Sequence, residues 1–177
     1  HELRSAGFPA GIEADGVVTQ YDYDKIYRLI AVSQNFKAGA AAAADVNVDT
    51  NYAYDPNGNL LAIANPNQAV TRFEYDPLNR QIKEIDALNQ VWTFEYDPAG
   101  NRTVRVDANS QTTQYAYYPD NQLRQIAYQI GVAVAYTYDP NNNRVGMTDK
   151  IGASAWTYNA LNQVTAPGRM HSRVLRV

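Results

Sequence analysis

The sequence predicts an all-β protein made of tandem β-hairpin repeats of about 21 residues, set side by side as an extended, twisted antiparallel sheet. Three observations carry that prediction. Tyrosines Tyr23, Tyr54, Tyr75, Tyr96, Tyr117, Tyr138 and Tyr158 follow one another at steps of 31, 21, 21, 21, 21 and 20 residues. Two residues before each stands another ring, Tyr21, Tyr52, Phe73, Phe94, Tyr115, Tyr136 or Trp156, and a spacing of two puts both rings on one face of a strand. Directly after the tyrosines come Asp24, Asp55, Asp76, Asp97, Tyr118, Asp139 and Asn159, all but Tyr118 residues that initiate turns through their own side chains.

Four residues after each tyrosine the chain carries Tyr27, Gly58, Asn79, Gly100, Asn121, Asn142 and Asn162, and all but Tyr27 are residue types that accept a positive φ. Prolines Pro56, Pro77, Pro98 and Pro140 follow four of the aspartates, and proline offers no N–H to a ladder, so Asp-Pro ends a strand and opens a turn. Each unit therefore reads as a strand ending aromatic-x-Tyr-Asp, a short turn, and a second strand with aliphatics such as Leu60 and Ile63, Ile82 and Ile85, Val104 and Val106, or Val145 and Met147. Polar returns such as Asn65-Pro66-Asn67, Asp86-Ala87-Leu88-Asn89, Asp107-Ala108-Asn109-Ser110 and Asp149-Lys150-Ile151-Gly152 lead to the next unit.

In chain order, residues 1–17 form an irregular lead-in, residues 18–165 the repeat array, and residues 166–177 a basic tail without the repeat signature. An alanine-rich insertion at 37–46 accounts for the one long step, read as an enlarged surface loop or as a short helix capping the sheet. One hairpin cannot bury enough surface to offset the entropy of ordering it, so the stability must be shared between neighbouring repeats. Open strand edges then invite pairing with further repeats of the same parent chain or with other copies. The chain opens at His1 with neither an initiator methionine nor a leader, which reads as a fragment or a processed product.

The repeated Tyr-Asp pair, followed by a glycine and a basic or polar residue, resembles the Rhs or YD-repeat family, and the likeness runs over about residues 18 to 165. That family includes bacterial Rhs proteins, wall-associated proteins, the C components of Tc insecticidal toxin complexes and the teneurins of animal cell surfaces. The resemblance implies that this chain is a segment of a hollow β-shell, or of a solenoid-like array, in a secreted or cell-surface protein. In the toxin members such a shell encloses a toxic C-terminal polypeptide.

Composition excludes several alternatives. Net charge is −3, and Arg72, Arg80, Arg102, Arg105, Arg124 and Arg144 are scattered among acids, which argues against a nucleic-acid interface. Without cysteine there is neither a disulfide framework nor a thiolate metal site, and the longest apolar stretch, Ala38 to Ala44, is far too short to span a membrane. His1 and His171 are the only histidines, so a metal site or a Ser-His-Asp triad would have to draw on a chain terminus.

The pairs Glu74/Asp76 and Glu95/Asp97 invite a glycosidase reading, but both aspartates recur in register at the turn, where a carboxylate is first a folding device. Asp55-Pro56-Asn57-Gly58-Asn59 and Asp139-Pro140-Asn141-Asn142-Asn143 alternate oxygen ligands as a calcium loop does. Gly58 nevertheless comes too early, and Pro66 stands where a bidentate glutamate belongs. The glycines are spread along the array rather than gathered into a phosphate cradle. Asp97-Pro98-Ala99-Gly100 superficially matches the cleavage motif of Rhs-type toxins, but Asp55-Pro56-Asn57-Gly58 repeats it, and the end-of-shell context is missing.

No catalytic residue, cofactor or metal is therefore expected, and the expected role is architectural. The alternative is a surface adhesion or fibre module that binds glycans through its fourteen tyrosines and two tryptophans, or self-assembles through open edges.

Overall fold

The computed structural model describes residues 11–12, 18–37 and 47–170, with side chains for 18–37 and 47–165. The rest of the lead-in, the alanine run from Ala38 and the tail beyond Met170 lie outside the described residues. The chain divides into two compact units, residues 1–91 and 92–177.

In the first unit the strands are β1 (Gly11–Ile12), β2 (Val18–Tyr23), β3 (Leu29–Gln34), β4 (Val48–Tyr54), β5 (Leu60–Ala64), β6 (Val70–Tyr75) and β7 (Gln81–Ile85). Each pairs antiparallel with the next. The second unit takes up β8 (Val91–Tyr96) from Trp92 onward and continues with β9 (Arg102–Val106), β10 (Thr112–Tyr117), β11 (Leu123–Tyr128), β12 (Ala133–Tyr138), β13 (Arg144–Asp149), β14 (Gly152–Tyr158) and β15 (Val164–Met170). It is the same antiparallel meander. Every described element is a strand, so the fold is the all-β hairpin array that the tyrosine spacing predicts. β15 runs to Met170, past the point where the repeat signature stops, because ladder pairing with β14 needs backbone groups rather than the signature residues.

Each Tyr-Asp hairpin has the same irregularity. The register slips immediately before Tyr23, Tyr54, Tyr75, Tyr96, Tyr117, Tyr138 and Tyr158, so that Tyr54, for example, faces Leu60 while Ala53 faces Ala62. This is the bulge expected when a turn closes through a residue in the left-handed region. Residues at all seven predicted positions have φ between 59° and 91°, Tyr27 included at 64°.

The register also sorts the faces. The first aromatic of each repeat sits opposite Val32 (from Tyr21), Ile63 (Tyr52), Glu84 (Phe73), Arg105 (Phe94), Ile126 (Tyr115), Met147 (Tyr136) or Pro167 (Trp156). The opposite face is small in places, with Ala53 against Ala62 in the first unit and Ala116, Ala127, Ala133, Ala135 and Gly146 in the second, and charged in others, with Glu74 against Lys83. A Cβ at Gly146 would meet Thr137 Oγ1, so a larger residue there requires Thr137 to change rotamer.

Among the described residues no hydrophobic side chain is buried, and the buried residues are Thr19, Ser33 and Thr113. In a single sheet layer, side chains are shaded mainly by neighbours in the plane. The rings therefore remain half-buried instead of forming a closed core.

Candidate functional site

The repeated Tyr-Asp turn is where the signature residues converge. In each turn the residue after the tyrosine donates its N–H to the carbonyl four residues on, and the left-handed residue donates back to it. For Asp97 these bonds are Asp97 N to Asn101 O at 2.9 Å and Gly100 N to Asp97 O at 3.0 Å. The carboxylate secures the loop from inside. Asp76 Oδ1 accepts from Leu78 N and Arg80 N at 2.9 and 3.0 Å, and Asp139 Oδ1 accepts from Asn141 N and Asn143 N, each at 2.9 Å. Asn159 does the same with its amide oxygen toward Leu161 N and Gln163 N.

The second carboxylate oxygen takes a side chain four residues on: Arg28 Nε for Asp24 (2.7 Å), Asn59 Nδ2 for Asp55 (2.7 Å), Arg80 Nε for Asp76 (2.7 Å), Asn101 Nδ2 for Asp97 (2.9 Å) and Asn143 Nδ2 for Asp139 (3.0 Å). Hydrogen bonds to the charged form hold all five carboxyls below the usual carboxylate range. The leading contribution is the backbone N–H of Arg28 or Arg80 for Asp24 and Asp76, and the side-chain amide of Asn59, Asn101 or Asn143 for Asp55, Asp97 and Asp139. Carboxylates engaged in this way are turn caps, with their oxygens occupied by N–H donors from their own loops.

The tyrosines act between repeats. Tyr54 Oη donates to Leu29 O at 3.0 Å, Tyr117 to Arg102 O at 2.9 Å, Tyr138 to Leu123 O at 3.0 Å and Tyr158 to Arg144 O at 3.0 Å. In every case the acceptor opens the second strand of the preceding repeat. The acceptors are backbone carbonyls, because the carboxylates are already filled by loop donors and the ring lies across the neighbouring hairpin. Burial pushes the phenols of Tyr75, Tyr117 and Tyr138 up. Tyr118, the one residue of the Asp column that is neither aspartate nor asparagine, donates to Tyr136 O at 3.0 Å and meets the Tyr138 ring edge-on at 6.3 Å.

The first-column rings meet arginines. Arg102 lies over Tyr115 at 4.9 Å and Phe94 at 5.7 Å, and Arg144 over Trp156 at 4.7 Å and Tyr136 at 5.7 Å, so each guanidinium bridges two repeats. Arg28 lies over the Tyr54 ring at 4.9 Å.

A further column escapes a reading based on tyrosines and aspartates alone: Arg28, Asn59, Arg80, Asn101, Gln122, Asn143 and Gln163, one residue past each left-handed position. Several of these reach the next repeat. Asn59 Nδ2 donates to Asn79 Oδ1 at 2.8 Å, Asn101 Nδ2 to Asn121 Oδ1 at 2.7 Å, Gln122 Nε2 to Asn142 Oδ1 at 2.6 Å and Asn143 Nδ2 to Asn162 Oδ1 at 2.9 Å. The signal for them lay in the sequence as an unbroken run of amide and guanidinium residues at a fixed offset.

The RHS Repeat family matches residues 54–88 and 80–112. A crystal structure of TcdB2-TccC3 without its hypervariable C-terminal region is similar at a TM-score of 0.68 and 18% identity, over 88% of this chain and 9% of that one. A Photorhabdus luminescens Tc holotoxin pore is similar at a TM-score of 0.65 and 16% identity, over 84% of this chain and 9% of that one. These likenesses show the fold, and the chain spans 9% of the length of those chains. A comparison with curated proteins gave no match. The matched stretch spans residues 54–112, and the Tyr-Asp turns and hairpins on either side of it repeat the same pattern, so the chain is similar in sequence pattern and in fold to Rhs, or YD-repeat, proteins.

Proposed function

We propose that this chain is a stretch of wall in a secreted Rhs-type shell that encloses a polypeptide cargo, and that it catalyses nothing itself. The observation that carries the reading is the way the signature residues are used. The tyrosine and the residue four past the aspartate join one hairpin to the next, while the aspartate closes its own turn. A sheet held together within its own plane needs no second layer, and both of its faces stay accessible, as a wall requires. That no described hydrophobic residue is buried accords with this. No helix among the described residues is long and apolar enough to cross a membrane.

Light scattering of the purified chain across a concentration series, together with electron microscopy of a longer protein that contains it, tests the proposal. The expected result is a chain of constant mass and a hollow particle with internal density for the longer protein. Filaments that lengthen with concentration, or a longer protein without an interior, would overturn it in favour of a fibre.

A further inference from the structure

The residue at the left-handed position of one turn and the residue just past that position in the preceding turn are matched. Along the sequence there are six such junctions: Arg28 to Gly58, Asn59 to Asn79, Arg80 to Gly100, Asn101 to Asn121, Gln122 to Asn142 and Asn143 to Asn162. An amide always precedes an asparagine turn, and an arginine always precedes a glycine turn.

The geometry gives the reason. Where the next turn carries asparagine, its Oδ1 stands within reach of a short amide, and the four bonds of 2.6 to 2.9 Å form. Where it carries Gly58 there is no side-chain acceptor, and only the longer guanidinium reaches across. Arg28 Nη1 donates to the backbone carbonyl of Asp55 at 2.8 Å while its Nε holds Asp24. Both classes keep the same duty inside their own turn, since Arg28 Nε and Asn59 Nδ2 each fill the second carboxylate oxygen at 2.7 Å. The choice between arginine and amide is therefore set by the neighbour and not by the turn itself.

We infer that this pair is a matching code by which one repeat selects the repeat that lies beside it. The turn ending in Gln163 is accordingly built to receive a hairpin with asparagine, not glycine, at the left-handed position. Gln163 Oε1 already accepts from Asn159 Nδ2 at 3.0 Å, which leaves the amide Nε2 as the donor to offer. A mismatched neighbour would leave an amide short of its acceptor, or press a guanidinium against an asparagine side chain. The inference does not depend on what the array encloses.

The test is a double-mutant cycle by urea denaturation on the whole chain. Asn101→Arg and Asn121→Gly each create a mismatch, while both together recreate the arginine–glycine class without disturbing either turn. The expected result is that each single change lowers the folding equilibrium constant, and that the pair recovers it with a coupling of about fivefold. Should a single variant fail to fold, Asn143→Arg with Asn162→Gly repeats the cycle at the last of the six junctions. In addition, an eighth hairpin fused after the last strand should raise the denaturation midpoint more with asparagine than with glycine at its left-handed position. Strictly additive single effects, or fused hairpins that stabilise equally, would overturn the code.

Discussion

Two kinds of turn alternate along this chain, and they share a backbone path but not a purpose. In the Tyr-Asp turn, Asp97 N bonds Asn101 O at 2.9 Å and Gly100 takes φ 91°; in the return turn, Asp107 N bonds Gln111 O at 3.0 Å and Ser110 takes φ 60°. Both are capped from within, the second by Asp107 Oδ1 accepting from Asn109 N and Gln111 N at 2.9 Å. Asn65, Asp86 and Asp149 likewise cap three more return turns, whereas the return between β11 and β12 has Tyr128 in the cap position. What distinguishes the first kind is what surrounds the cap: a tyrosine before it that bonds the preceding repeat, and a side chain after it that bonds the next. Making the turn thus requires only an Asx residue and a tolerated positive φ. The rest of the signature is there to join neighbours.

Acidification is the broadest way to break the difference, because it reaches the Tyr-Asp caps together. Their carboxyls have folded pKa values below the unfolded value, so their contribution is present above about pH 4 and is lost as pH falls through the folded values. The urea midpoint followed by circular dichroism should fall steadily between about pH 5 and pH 2, and a flat profile would remove the caps from the account. At the other extreme, Tyr75, Tyr117 and Tyr138 have raised values, so their contribution is complete below about pH 10 and declines as pH rises through the folded values.

Replacing one residue type in each kind of turn sharpens the comparison. Tyr138 joins repeats through Leu123 O, whereas Tyr128 opens a return turn and is 42% exposed. Tyr138→Ala should cost about 2 to 3 kcal/mol and Tyr128→Ala about 1 kcal/mol or less, measured as unfolding free energies. Equal losses would mean that the tyrosine column contributes only its apolar area.

Asn121 and Asn89 both hold positive φ, at 67° and 60°, but only the first accepts a side chain from the preceding Tyr-Asp turn, that of Asn101. Alanine at either position should cost about 1 to 2 kcal/mol for the left-handed backbone, with about 0.5 to 1 kcal/mol more at Asn121. A smaller effect is expected of Tyr117→Phe, which removes the hydroxyl bond to Arg102 O and keeps the ring, at about 1 kcal/mol. Leu88, at the tip of a return turn and 77% exposed, should tolerate alanine within about 0.5 kcal/mol.

Much of the fold was legible because each signal is local and recurs. The Tyr-x-Tyr spacing marks a strand face, Asp-Pro marks its end, and asparagine or glycine marks the left-handed residue. Tyr27 shows where locality fails: as a residue type it disfavours positive φ, yet it takes 64° because Asp24 caps the loop through Ile26 N and Arg28 N as it does elsewhere. The column from Arg28 to Gln163 was visible as residues but not as a contact, since its partners lie about twenty positions away and a period alone does not say which side chains touch.

By itself the sequence determined the repeat length, the strand and turn assignment and the residues that cap each turn, all of which follow from propensities acting within a few positions. The tertiary structure supplied the rest: where the tyrosine hydroxyls go, which arginines bridge two rings, and which amide or guanidinium reaches the following turn. Those outcomes depend on the register in which one hairpin lies against the next. Register is fixed by ladder pairing and by the bulge before each tyrosine, and it brings together groups that the chain keeps about one repeat apart.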